Sequence, residues 1–328
     1  MSPRKSRCLA LLVLASALLL CSSESLAEGT RRTHRRTRFR KKVSAGSSTR
    51  HVHVGGLDRT YLLHIPKGLS KNTPAPLILA FHGGGGNSSQ FAQMTNLSKR
   101  AAKSGFVVAY PQGFGNSWNA GNCCGPAQAG NIDDVAFVRA ILKDVGHVLK
   151  IDGQRVFATG FSNGDMFSYR LACEMSDRIA AIAVSSAPLD LPPNVSTATG
   201  LPPCTPLRPV PILHVHGLAD TFAPFEGGPS VDPNVGVLPS IPATIEFWLA
   251  RNGCTNQTQV SFHHGAASCV THPDCQAGTV VTLCTIEQMG HQWAGGEVID
   301  QPLFGPGSDA LIATKLVLDF FRAHPMPH

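Results

Sequence analysis

Three short segments of this chain carry side chains whose types and spacing could do chemistry. Gly160-Phe161-Ser162-Asn163-Gly164 sets a serine between two glycines, where an apolar run ends and an amphipathic one begins. A strand-to-helix turn this tight leaves no room for side chains beside it. It pushes the serine out at the carboxyl end of the strand, with a helix N-terminus behind it that favours negative charge. An ordinary glycine-rich turn is the competing reading, and the strand–turn–helix context favours a nucleophile. A serine needs an imidazole base, and the imidazole needs an acid to orient it. The apolar run 210–216 leads into Gly217-Leu218-Ala219-Asp220, and the run 279–287 leads into Gln288-Met289-Gly290-His291. Serine, acid and histidine thus follow three apolar runs in that order. Ser162 is the candidate nucleophile, Asp220 the orienting acid and His291 the general base of an acyl transfer. His214, inside its run, reads as structural, and His216, before a glycine turn, as a loop brace.

Acyl transfer also builds an oxyanion, which backbone N–H groups must reach without side chains in the way. His82-Gly83-Gly84-Gly85-Gly86 follows another apolar run and permits that approach. The donors are assigned to the amides of Gly84 and Asn163. A phosphate loop is excluded because no Gly-Lys-Ser/Thr ending follows. Trp118 and Trp293 are candidate substrate contacts that could stack an aromatic or sugar group, with core packing as the alternative. Asp133-Asp134 opens a helical pattern and reads as a cap. His51 and His53 share a strand face but have no third ligand, so no metal site is expected, and no cofactor.

These residues need elements to hold them. Residues 50–54 and 59–64 flank Gly55-Gly56-Leu57-Asp58 as a hairpin. Buried strands are expected over 76–82, 106–110, 155–161, 179–185, 210–216 and 279–287. Helices are expected over 89–103, 132–149, 164–175, 243–252 and 308–324. Apolar strands alternating with helices define an α/β fold with a mostly parallel sheet. Segments 112–130, 186–209 and 222–240, rich in Gly and Pro, read as surface loops.

The chain has 328 residues, enough for one large domain, and a formal charge of +7. That charge is local. Residues 1–27 hold Arg4, Lys5 and Arg7 against Glu24, residues 28–42 hold eight basic side chains against Glu28, and 43–328 are left at −2. A global basic surface for nucleic acid is excluded. Arg4 to Arg7, the apolar run from Leu9 to Cys21 and Ser25-Leu26-Ala27 describe a secretory signal cut after Ala27. The run falls short of the ~20 residues a membrane span needs, so no membrane partner is expected. Residues 28–49 read as a basic disordered arm, and residues 31–42 within it could contact an acidic polymer. Residues 50–328 form the catalytic domain. Ten cysteines are present, and eight remain after Cys8 and Cys21 leave with the signal. An even number in a secreted chain suggests disulfides. Asn87, Asn96, Asn194 and Asn256 head glycosylation sequons.

The chain resembles the secreted poly(3-hydroxybutyrate) depolymerase-like and feruloyl esterase-like serine esterases, with acetylxylan esterases as near relatives. The matching segments are FHGGGGN (81–87), YPQG (110–113), SWNAGNCCGPA (117–127), NIDDVAFV (131–138), RVFATGFSNGDMFSYRLACE (155–174), PVPILHVHGLAD (209–220) and GHQWAGG (290–296). The resemblance implies an α/β-hydrolase fold and the same three roles for Ser162, Asp220 and His291. It implies bridges from Cys123 and Cys124 to Cys173 and Cys204, one from Cys254 to Cys275, and an added one between Cys269 and Cys284. Asp165, Gln288-Met289 and Ala294 depart from the family pattern and are expected near the pocket.

The function expected is a secreted serine carboxylesterase acting on feruloyl or acetyl esters of plant cell-wall polysaccharide. Hydrolysis of poly(3-hydroxybutyrate) or its oligomers is the alternative. A glycan-binding protein on a hydrolase scaffold and a peptidase of the same fold are the other classes.

Overall fold

The computed structural model describes residues 44–69, 73–191 and 200–327. The expected signal at 1–27, residues 28–43 of the expected arm and the sequon at Asn194 lie outside the described residues.

The chain runs β1 (Gly46–Val54), β2 (Leu57–Ile65), β3 (Ala75–Phe81), α1 (Ser88–Thr95), α2 (Leu97–Ala102), β4 (Val107–Pro111), α3 (Pro126–Ala129) and α4 (Asp134–Val148). It continues with β5 (Ile151–Phe161), α5 (Asn163–Glu174), β6 (Ile182–Ser185), β7 (Ile212–Gly217), β8 (Gly228–Pro229), β9 (Val237–Leu238) and α6 (Ile241–Arg251). Strands β10 (Gln259–His264), β11 (Ala267–His272) and β12 (Val281–Ile286) follow, then α7 (Gln301–Phe304) and α8 (Ala313–Ala323). Ten of these strands form one sheet in the order β1-β2-β4-β3-β5-β6-β7-β12-β11-β10. The centre, from β4 to β12, is parallel, and antiparallel hairpins finish both edges.

Burial on both faces is what makes the central strands continuous apolar runs. Leu77, Leu79 and Phe81 of β3 face a core shared with α4, α5 and α6, while Ile78 and Ala80 face a second core shared with α1, α2 and α8. From β3 the chain first steps outward to β4, and β5 then returns to the other side of β3. The carboxyl ends of β3 and β5 therefore border a topological switch point, where open α/β sheets place ligands.

The structure departs from the sequence reading in several places. The helix expected over 89–103 breaks at Asn96, whose left-handed φ of 49° ends α1, a conformation Asn tolerates better than most residues. The first strand begins at Gly46, inside the segment assigned to the arm. Between 253 and 278, where no element was expected, β10 and β11 extend the sheet. Edge strand β10 has no buried residue, so it carries no apolar alternation to detect. The 112–130 segment is no surface loop, since Trp118, Asn119 and Ala120 are all buried.

The disulfides also differ. Cys123 joins Cys124, its own neighbour, and Cys173 joins Cys204, in place of the cross-bridges between these pairs. Cys173 and Cys204 are both buried, with Cα atoms 4.8 Å apart, so each has its partner at hand. Cys254–Cys275 forms as expected, and Cys269–Cys284 joins directly opposed residues of β11 and β12. Among the described residues no helix is long and apolar enough to cross a membrane.

Candidate active site

Ser162 sits one residue past β5, with φ 57° and ψ −127°. A Cβ on Gly160 would run into the Gly164 carbonyl, and one on Gly164 into the carbonyls of Phe81 and His82. Both glycines are therefore required for β3 and the start of α5 to close around the serine. The Ser162 hydroxyl donates to His291 Nε2 at 2.8 Å, and His291 Nδ1–H donates to Asp220 Oδ2 at 2.7 Å. The other carboxylate oxygen of Asp220 accepts from the amides of Phe222 and Ala223 at 2.9 and 2.8 Å. Three residues separated by 129 and 71 positions thus form one line of hydrogen bonds at the carboxyl ends of β5, β7 and β12.

A second line of imidazoles lies beneath the first. His216 Nε2–H donates to the Ala223 carbonyl at 2.8 Å, which leaves Nδ1 as an acceptor. It accepts from His214 Nε2–H at 3.0 Å, and His214 Nδ1 accepts in turn from the Tyr169 hydroxyl at 2.8 Å. Each partner fixes the tautomer of the next. Burial holds His214 well below the ordinary histidine value, with the neighbouring His216 acting the same way, and burial lowers His216 too. The line is neutral and ends on the turn that presents Asp220. Asp165 lies beside it, its Oδ2 4.0 Å from His214 Nδ1 and accepting from the Ala187 amide at 2.8 Å. Complete burial pushes its carboxyl well above the usual range.

The Gly85 amide is taken by the Asn116 carbonyl and that of Gly86 by Gly83. Among the described residues the amides of Gly84 and Asn163 meet no backbone carbonyl, and Asn163 stands in the first helical turn, where N–H groups have no intrahelical acceptor. A Cβ on Gly84 would stand 3.7 Å from that of Asn163, and both residues line one cavity with Ser162. The Asn163 side chain accepts from the Trp118 amide at 2.7 Å and donates to its carbonyl at 3.2 Å, clamping the 112–125 loop to α5. That loop is held from the other side by Asp134, whose oxygens accept from Arg59 at 2.8 Å and from the Asn119 amide at 2.9 Å. Asp133 caps α4 through the Ala136 amide, but Asp134 is this buried anchor.

Ser162, His291, Gly84 and Phe304 border two cavities. The larger, of about 600 Å³, is walled by the Cys123–Cys124 disulfide, Met166, Phe222, Val235 and Leu238. The smaller, of about 280 Å³, is walled by Asn87, Gln90, Gln93, Phe91 and Glu297. Neither tryptophan lines them. Trp118 is fully buried, stacked on Phe167 at 5.2 Å with its indole N–H donating to the His82 carbonyl. Trp293 packs on Phe91 and donates to Thr314 Oγ1. Both are core residues, because each indole N–H finds an internal acceptor. Asp165, Met289 and Ala294, expected near the pocket, are also buried away from both cavities, and Gln288 lines neither. The aromatic residues that do face the site are Phe161, Phe222 and Phe304, with ring centroids 4.9, 5.4 and 5.8 Å from His291, and Phe91 in the smaller cavity. The sequence offers one hint, an apolar residue two positions past Asp220, and none for Phe304. Among the described residues no group of three or more His, Cys, Asp or Glu could hold a metal ion.

A parallel sheet covered on both faces, with Ser162 at the strand-to-helix elbow, is the α/β-hydrolase architecture. Esterase 2 of Thermogutta terrifontis, solved phosphoramylated by tabun, shares this fold. It is 17% identical, with 87% of this chain and 97% of that chain covered and a TM-score of 0.53. Residues 59–189 match the family model described as Esterase PHB depolymerase. Feruloyl esterase B of Piromyces equi is 31% identical over 73% of this chain, which spans 44% of that relative's length. NocK of Nocardia uniformis subsp. tsuyamanensis, an esterase by name only, is 29% identical over 84% of this chain and 82% of its own.

Proposed function

We propose that this chain is a secreted serine carboxylesterase that cleaves feruloyl- or acetyl-type esters of plant cell-wall polysaccharide. The observation that carries the reading is the unbroken line Asp220–His291–Ser162 opening on a largely apolar cavity of about 600 Å³. Ser162 Oγ attacks the ester carbonyl as its proton passes to His291 Nε2, and Asp220 steadies the imidazolium. The Gly84 and Asn163 amides hold the oxyanion, each worth about 3 kcal/mol of barrier. His291 then gives the proton to the leaving alcohol, and water deacylates the serine by the same route. Four disulfides and the leader-like segment 1–27 support secretion, with residues 50–328 as the catalytic domain. The similarity to feruloyl esterase B supports the acyl group named. The family match over 59–189 supports a second reading, hydrolysis of poly(3-hydroxybutyrate) or its oligomers.

Rates on methyl ferulate, acetylated xylan and hydroxybutyrate oligomers, measured side by side, separate these readings. Ser162→Ala is expected to lower all of them by about 10⁴-fold or more, and full activity in that variant overturns the mechanism. The basic segment 31–42 retains the enzyme on acidic polymers. Heparin-column elution at the same salt with and without residues 28–42 would contradict this.

A further inference from the structure

Ser162 stands where the two cavities meet, and their walls differ in kind. The larger offers sulfur and hydrocarbon, from Cys123–Cys124, Met166, Phe222 and Leu238. In the smaller, the carboxamides of Gln90 and Gln93 and the carboxylate of Glu297 stand at the exposed rim, above the apolar surfaces of Phe91, Ile299 and Phe304. Hydrocarbon below and hydrogen-bonding groups above suit a ring with C–H faces and a hydroxyl edge. No lysine or arginine lines this cavity, and His82 is buried and neutral, with its value lowered by burial to about 4. Glu297 is therefore a carboxylate without a cation beside it in the wall. Such a wall accepts hydrogen bonds from neutral hydroxyls and repels a second carboxylate.

The wall is also fixed in place. Gln292, itself 1% exposed, donates to the carbonyls of Ile299 and Gly305 at 2.6 and 2.9 Å and accepts from the Ile299 amide at 3.0 Å. The Glu297 amide donates to the Met94 carbonyl at 2.9 Å, joining this segment to the end of α1. The segment bearing Glu297, Ile299 and Phe304 is thus held against the helix that bears Gln90 and Gln93, so the polar rim is preorganised.

We infer that the smaller cavity is the leaving-group subsite, built to hold an uncharged sugar alcohol by Gln90, Gln93 and Glu297, while the acyl group occupies the larger cavity. This rests on the esterase reading above and adds which side of the serine holds which product, and the charge of the alcohol. None of the three residues belongs to the machinery that moves the proton, so they separate substrates that share an acid and differ in alcohol.

The test uses the full chain and three feruloyl esters, of methanol, of a neutral pentose and of a uronic acid. Gln90→Leu/Gln93→Leu is expected to lower kcat/KM on the pentose ester about 10-fold, mostly through KM, as two hydrogen bonds are lost. The methyl ester should stay within about 2-fold, since it leaves the subsite empty. Glu297→Gln is expected to raise kcat/KM on the uronate ester about 5-fold and to leave the methyl ester unchanged. Equal loss on pentose and methyl esters, no loss on either, or unaltered uronate discrimination in Glu297→Gln overturns the subsite while the esterase reading stands. Wild-type enzyme inert on all three feruloyl esters overturns the subsite, and inactivity on acetylated xylan and hydroxybutyrate oligomers as well overturns the esterase reading with it.

Discussion

Four histidines gather at the carboxyl edge of the sheet, and they fall into two kinds. His291 lines both cavities and connects a hydroxyl to a carboxylate, so its ring joins a group that can release a proton to one that can steady the resulting charge. His82, His214 and His216 are buried, and each nitrogen that pairs does so with a partner that fixes one tautomer. The same side chain is placed to move a proton in one setting and to hold it in another. What decides is access to a reacting group and a carboxylate at hydrogen-bond distance, since burial alone is common to all four.

Converting the moving site into a holding one should have the largest effect. Asp220→Asn keeps an acceptor for the Phe222 and Ala223 amides but presents an NH₂ to His291, which favours the wrong tautomer. A loss of about 10⁴-fold in kcat is expected, read on any ester the wild type cleaves, and a loss below about 10-fold would place the acid elsewhere. A break in the holding set should cost less. His216→Ala leaves the Ala223 carbonyl and His214 Nε2–H without partners, at about 1–3 kcal/mol, and loosens the turn that carries Asp220. We expect kcat to drop about 10-fold, with a lower Tm and little change in KM. Wild-type kcat would separate the two lines of imidazoles entirely.

A last effect, on stability and not on rate, tests whether the holding set stays neutral. Between 6.5 and about 4 the unfolded chain protonates His82 and the folded one does not, so its contribution to stability is present above 6.5 and lost as pH falls. The stability advantage of wild type over His82→Asn should therefore shrink by about 3 kcal/mol between neutral pH and pH about 4. Denaturant titrations at both pH values measure it. The variant contrast cancels the buried carboxyls of Asp134 and Asp165, which run the opposite way. A constant gap would mean that His82 ionises in place.

Much of this arrangement was legible in the sequence for physical reasons. Strands buried on both faces write themselves as apolar runs, and a strained elbow demands Gly160 and Gly164, so β3, β5, β7 and β12 and the residues after them could be placed. What could not be read depended on satisfaction at a distance. The segment around Trp118 has the composition of a loop, yet Asp134 and the Asn163 side chain supply partners for its backbone and allow it inside. Trp118 and Trp293 became core residues because the His82 carbonyl and Thr314 were there to accept their N–H groups. Phe304 reaches the site from a short helix whose place is set by the buried Gln292, and no local pattern announces that. Adjacent Cys123 and Cys124 looked like two half-bridges, and only the position of Cys204 beside α5 decided otherwise.

The Arg59–Asp134 pair sets a limit on how far this protein can be trimmed. Arg59 belongs to β2, its guanidinium lies 4.1 Å over the Phe137 ring, and it neutralises a fully buried carboxylate. Removing the first hairpin would strand that charge, at about 3–5 kcal/mol, directly under the loop that receives the Gly85 amide. None of the hydrogen bonds of the Asp220–His291–Ser162 line uses a residue ahead of β1. A cut beyond that hairpin would take Arg59 from Asp134 and loosen the loop that Asp134 holds through the Asn119 amide, so the hairpin is the shortest start from which that loop keeps its anchor.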